Sequence, residues 1–112
     1  MAKALNFNNI KKEYLTVTLP DEKRTVLMVG TPKKGLLKEL MDIKNALDDY
    51  GEDMSEENID TLFYICARLM SRNKGGIEVT KETIEDLFDI EDILIFVHAY
   101  LDFLTELASS KN

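Results

Sequence analysis

The hydrophobic periodicity of this chain changes once, at Gly30-Thr31-Pro32, and this change limits the folds open to it. Residues 14–19 alternate and are rich in β-forming side chains, which predicts a strand, and residues 24–29 predict its partner. The turn between them, residues 20–23, opens with proline, which favours a turn because its ring fixes φ. After Pro32 the apolar residues recur at steps of three and four, which predicts helices.

Four amphipathic segments follow, each with its own start signal. They predict helices over residues 32–49, 55–73, 80–88 and 89–108. Thr31, Ser55 and Thr80 are suited to accept a hydrogen bond from the first turn of the first three helices, and Asp89 begins the fourth. Gly51 is the expected stop of the first helix.

The predicted elements define the fold class. We expect an α+β fold that is mostly α, with an N-terminal β-hairpin over residues 14–29 followed by about four helices in a small bundle. Residues 1–13 are expected to form an arm, and residues 1–112 a single domain, because a chain of 112 residues suits one core.

Charge is unevenly distributed along the chain. The net charge is −7, yet residues 1–47 carry nine Lys or Arg and five Asp or Glu, whereas residues 48–112 carry five and sixteen. The acidic balance argues against a nucleic-acid partner, because phosphates repel it. The asymmetry fits either two differently solvated surfaces or contact of the basic part with an acidic partner, including a second copy.

The compartment is expected to be the cytoplasm. No apolar run reaches the roughly 18 residues of a membrane span, so no membrane partner is expected. The first residues lack the apolar core of a signal peptide. The chain has one cysteine, Cys66, which cannot form an intrachain disulfide and fits a reducing compartment.

The residues that usually carry chemistry are scarce here. The chain has one histidine, His98, and one cysteine, so the ligands of a zinc site are missing. Both lie in apolar helical segments, where we expect a packed or interfacial His98 and a core Cys66. The acidic stretch 48–60 does not match the ligand positions of a calcium loop in either register. We therefore expect no enzyme activity, no cofactor and no metal.

The last helix is apolar on nearly every side between Ile93 and Leu104, whereas a surface helix usually needs one stripe. One interpretation is a central helix wrapped by its neighbours. The other is that part of it forms a patch covered by another protein. The candidate partner-binding residues are Ile95, Phe96, Tyr100 and Phe103.

The hairpin offers a second contact surface, because its edges can pair with a neighbouring subunit or an extended client segment. Together with the charge asymmetry, this predicts head-to-tail association of a homo-oligomer, with the basic part of one copy against the acidic part of the next.

The order of these segments resembles a known family. The strand at 14–19, the turn at 20–23, the second strand at 25–29, the Thr31-Pro32 helix start, the apolar stripe of 59–70, the segment 79–89 and the apolar last helix are similar to the small tail assembly chaperones of long-tailed bacteriophages and prophages of low-GC Gram-positive bacteria. The resemblance implies a protein that binds the tape measure protein, keeps its apolar helices soluble, helps recruit tail tube subunits and self-associates. The family has no catalytic residues.

A different class of function is also open. The clustered carboxylates after residue 48 are compatible with a small acidic regulatory adaptor or inhibitor, such as a DNA mimic. The basic N-terminal part does not favour it. A small enzyme is the least favoured alternative, because each candidate site lacks a partner residue.

Overall fold

The computed structural model describes residues 4–8, 11–50 and 55–109, with side chains described except for 46–50. In this part the chain forms β1 (Leu15–Thr18), β2 (Val26–Val29), α1 (Lys34–Tyr50), α2 (Glu56–Met70), α3 (Lys81–Leu87) and α4 (Ile90–Ser109). The predicted class, a hairpin followed by four helices, is confirmed. The predicted stop at Gly51 lies outside the described residues, as do parts of the predicted arm.

The hairpin is antiparallel and places one face on the core. Leu15 is opposite Val29 and Val17 opposite Leu27, so these four side chains share the inner face. The turn is held by Asp21, whose carboxylate accepts hydrogen bonds from the backbone N–H of Thr25 at 2.8 Å and from its hydroxyl at 2.7 Å. These bonds lower the pKa of Asp21.

The second strand begins later than predicted. Arg24 adopts a φ of +51°, a left-handed conformation that ends the turn and that a strand residue does not adopt. Its N–H donates to the carbonyl of Asp21 at 3.1 Å. Arg24 and Thr25 therefore belong to the turn, and β2 starts at Val26.

Two of the predicted helix starts are confirmed. Ser55 accepts a hydrogen bond from the N–H of Asn58, and Thr80 accepts one from the N–H of Thr83. At the start of α4, the N–H of Asp92 donates to the carboxylate of Asp89 at 2.8 Å. The N–H of Asp89 donates in return to the carboxylate of Asp92 at 3.1 Å. Each of the two carboxylates therefore accepts a hydrogen bond from the backbone N–H of the other residue.

The predicted cap of the first helix at Thr31 is wrong. The helix starts at Lys34, and the first helical bond runs from the N–H of Leu37 to the carbonyl of Lys33. Thr31 is held elsewhere, because its carbonyl accepts a hydrogen bond at 2.9 Å from the Nε of Arg72.

The segment after α2 joins the sheet. The helix ends at Met70, earlier than predicted, and Asn73 forms a bridge with Val29 on the side of β2 opposite to β1. The N–H of Lys74 donates to the carbonyl of Met28 at 2.9 Å, and the N–H of Gly30 donates to the carbonyl of Arg72 at 2.7 Å. Both edges of β2 are therefore paired.

Tyr100 connects the last helix to this junction. Its side chain is fully buried, and its hydroxyl donates to the carbonyl of Gly30 at 2.9 Å. Burial raises the pKa of the Tyr100 phenol well above its usual value. The end of β2, the end of α2 and the middle of α4 thus meet around Gly30.

The centre of the core is α2. Among the described side chains, this helix buries the largest set, and it contacts α1, α3, α4 and β2; its buried residues are Leu62, Phe63, Ile65, Cys66, Ala67, Leu69 and Met70. The inner face of the hairpin and the apolar stripes of the other helices pack around it. Of the helices in the described part of the chain, none combines the length and the apolar character that crossing a membrane requires.

Replacing Tyr100 by phenylalanine tests the junction. The substitution leaves the carbonyl of Gly30 without its buried donor, and we expect the free energy of unfolding to fall by about 1–3 kcal/mol. Urea denaturation followed by circular dichroism measures this. Tyr64→Phe is the matched control, because the Tyr64 side chain is exposed and its substitution should change stability by less than about 0.5 kcal/mol. Equal effects of the two variants would show that the bond to Gly30 contributes nothing.

The stability of the fold should depend on pH through the thiol of Cys66. Burial raises its pKa from the ordinary 9.0 to about 12, whereas the unfolded chain releases this proton near pH 9. The unfolded state therefore binds fewer protons between these values, and stability falls as pH rises through this window, by at most about 1.4 kcal/mol per pH unit. In Cys66→Ala this contribution should be absent, so its stability curve between about pH 8 and 10 should be flatter than the wild-type curve. Parallel curves would contradict the assignment.

Candidate protein-interaction surface

The structure separates the four residues predicted to bind a partner. Tyr100 is fully buried and Phe96 is 6% exposed, while Phe103 is half-buried. Their rings follow one another along α4, with centroids 5.8 Å apart for Phe96 and Tyr100 and 6.0 Å apart for Tyr100 and Phe103. Ile95 is 61% exposed. Of the four, Ile95 alone offers most of its side chain to a partner, and Phe96 and Tyr100 belong to the core.

The reason lies in how α4 packs. Its buried residues, Ile93, Phe96, Val97 and Tyr100, recur at helical steps and form one stripe against α2. A helix with one buried stripe is not wrapped, and its other apolar side chains remain at or near the surface. The role of central helix, expected for α4 in one interpretation, falls to α2.

A groove runs between β1 and the exposed side of α4. It has a volume of about 240 Å³ and is lined by Leu15, Thr16, Val17, Phe88, Asp92, Ile95, Phe96 and Ala99. The walls are mostly apolar, with Asp92 at one side. The sequence did not identify Thr16, Phe88 or Asp92 as part of a site, although Asp92, Ile95 and Ala99 are spaced to share one helix face.

The strand in this wall has a free edge. The N–H of Leu19 donates to the carbonyl of Thr25. The backbone N–H and C=O groups at odd positions of β1 therefore point toward β2. Backbone groups alternate along an antiparallel strand, and those of Thr16 and Thr18 therefore point away from β2. The sheet of the described residues has the order β1-β2, and β1 pairs only on one side within this part of the chain. An open edge beside an apolar groove is a site for an added strand.

The helices beside the groove are strongly acidic. Residues 81–109, which contain α3 and α4, carry eight carboxylates and one lysine. Asp89, Glu91 and Asp92 lie in the first turn of α4 or just before it, and Asp92 also lines the groove. Such a surface attracts a cationic segment and repels an anionic one.

A larger cleft, with a volume of about 880 Å³, lies between the start of α1 and the end of α2. Three of the four cations that line it have partners in the chain. Arg68 contacts Glu39 at 3.1 Å, Arg72 donates to the carbonyl of Thr31, and Lys81 pairs with Asp60. These interactions connect α1 to α2 and α2 to α3. We therefore interpret the cleft as the boundary between packed elements.

Cys66 and His98, the one cysteine and the one histidine of the chain, lie in different surroundings. Cys66 is buried in the core, as predicted, and its raised pKa keeps the thiol protonated at neutral pH. His98 is exposed on α4, which excludes the packed position and leaves the interfacial one as a prediction. Among the described residues, no group of three or more His, Cys, Asp or Glu side chains is arranged to hold a metal ion.

Comparisons of the chain with known protein families, with curated proteins and with solved structures find no match.

Charge substitutions at two neighbouring positions of α4 should differ strongly in their effect on stability. Ile95→Asp places a carboxylate at a solvent-exposed position, and we expect a change in stability of less than about 0.5 kcal/mol. Phe96→Asp buries a carboxylate and removes a core ring, which should cost about 3–5 kcal/mol or more. Thermal unfolding followed by circular dichroism compares them. Comparable melting temperatures for the two variants would show that the buried stripe of α4 is assigned wrongly.

Proposed function

We propose that this protein is a non-enzymatic tail assembly chaperone of a long-tailed bacteriophage or prophage, acting in the host cytoplasm. Its clients are the tape measure protein and tail tube subunits. The proposal rests on the order of the sequence elements, which resembles that family, and on a surface suited to holding an apolar segment.

The observation that carries the proposal is the groove between β1 and α4. Ile95 is 61% exposed there, beside a strand edge whose Thr16 and Thr18 backbone groups face away from β2. Apolar contact supplies affinity for a client with little dependence on its sequence, and backbone pairing adds to it. A chaperone needs this combination, because it must cover apolar client surface until assembly.

The acidic surface supports the second requirement of a chaperone. Eight carboxylates on residues 81–109 keep a high charge next to the groove. A complex with an apolar client stays soluble when such charge surrounds the contact.

The carboxylates also favour a second candidate, an acidic inhibitor or adaptor that occupies a nucleic-acid-binding protein. The two functions depend on different side chains. A DNA mimic binds through its carboxylates, so Ile95→Asp, which adds one, should leave its binding intact. A chaperone binds through the apolar groove, and the same variant should lose its client.

Co-expression with a tape measure protein encoded near the same gene tests the proposal. We expect the wild-type chain to copurify with this client and raise its soluble fraction. Ile95→Asp should weaken the complex by about tenfold to a hundredfold, because burying an isoleucine contributes about 1.5–3 kcal/mol.

The matched control is Ile77→Asp. Ile77 is also an exposed isoleucine, at 41%, and does not line the groove, so this variant should bind as the wild type does. If the wild-type chain neither copurified with the client nor improved its solubility, the chaperone function would be rejected. Equal losses in both variants would reject the groove as the client site.

A further inference from the structure

We infer that the β1–α4 groove also takes the arm of a second copy of this chain, the arm being residues 4–8. Its side chains Leu5 and Phe7 are 70% and 73% exposed, more than any other large apolar side chain among the described residues. Two apolar side chains two residues apart share one face of an extended segment. Exposed in this way, they are available to pack on another surface.

The arm can become extended at little cost. Within the described part of the chain its local contact is one hydrogen bond, from the N–H of Asn8 to the side-chain oxygen of Asn6 at 3.0 Å, at an exposed position. A single exposed bond of this kind contributes about 1 kcal/mol or less. Pairing of the arm with the free backbone groups of Thr16 and Thr18 would replace it.

The groove fits such a segment in size and polarity. Its volume is about 240 Å³, and a cavity of roughly 150 Å³ already accepts a benzene ring, so the ring of Phe7 can enter. Ile95 and Ala99 give it an apolar wall. The edge of β1 supplies backbone donors and acceptors along the same side.

The arm and the groove lie beside opposite charges. The arm is followed by Lys11 and Lys12, both exposed, whereas Asp92 lines the groove and Asp89 and Glu91 lie next to it in the chain at the start of α4. Opposite charges on the arm and on the groove favour this pairing over others. The contact also places the basic part of one copy against the acidic part of the next.

A second copy, and not the same chain, is the occupant we assign. Within one chain the arm and the groove are both left open, since Leu5, Phe7 and Ile95 are each more than half exposed. Each copy then offers an arm to one neighbour and a groove to another. Such a contact is heterologous and builds a ring or an open filament.

Disulfide trapping with the full-length chain tests this contact in the absence of any client. Ala4→Cys carries the thiol in the arm, and Ala99→Cys, on a second chain with a size tag, carries it in the groove wall. Both alanines are exposed, and Leu5, Phe7 and Ile95 stay in place. The native Cys66 does not compete, because it is buried and protonated.

We expect the mixed pair to form a covalent heterodimer at least about tenfold faster than Ala4→Cys mixed with Ile77→Cys, as burial of one large apolar side chain implies. Adding Phe7→Asp to the first chain or Ile95→Asp to the second should abolish the difference. Raising the salt from about 0.1 to 1 M should slow the reaction, because the charges are exposed.

Three results would overturn the inference. The mixed pair could react no faster than the control pair. The reaction could persist unchanged with Phe7→Asp. A single chain carrying both Ala4→Cys and Ala99→Cys could form only an intrachain bond at every concentration, which would place the arm in its own groove. None of these results depends on the client, so they are separate from a failure of the chaperone function.

Discussion

The cluster of hydrogen bonds around Gly30 joins the hairpin to α2 and α4. Its N–H donates to the carbonyl of Arg72, and its carbonyl accepts from the buried hydroxyl of Tyr100. Arg72 in turn donates from its guanidinium to the carbonyl of Thr31. A two-stranded hairpin alone is marginal in water, and these bonds fix it to α2 and α4. The position of the groove follows from them, because they set where β1 lies relative to α4.

The same arrangement explains why the groove is open. Residues 72–74 occupy the edge of β2, so within the part of the chain that the structure describes the unpaired edge of the sheet is that of β1. Because α2 takes the centre of the core, α4 buries one stripe and leaves Ile95 outside. An open strand edge is unfavourable in a monomer, and here it lies beside an exposed apolar side chain in the wall of an apolar groove. Their occurrence side by side is the main reason to regard this face as functional.

Local signals in the sequence predicted much of the fold, and distant contacts account for the rest. Ser55 and Thr80 cap helices through bonds to residues three positions away, so their sequence context sufficed. The cap expected at Thr31 failed because its carbonyl is bound by a side chain 41 residues away. For the candidate site, the sequence indicated both the hairpin and α4, but which side of α4 faces β1 depends on the packing around α2. Tyr100 was therefore expected in a patch and is found in the core.

The bond between Tyr100 and Gly30 joins residues 70 positions apart and has a consequence for the order of folding. Closing a loop of that length in one step is entropically less favourable than closing it in stages. The contact of Gly30 with Arg72 divides the loop, and the remaining segment from Arg72 to Tyr100 is less than half as long. Each halving lowers the closure cost by about 0.6 kcal/mol. We therefore expect the hairpin to dock on the end of α2 before α4 docks, so that the groove forms last.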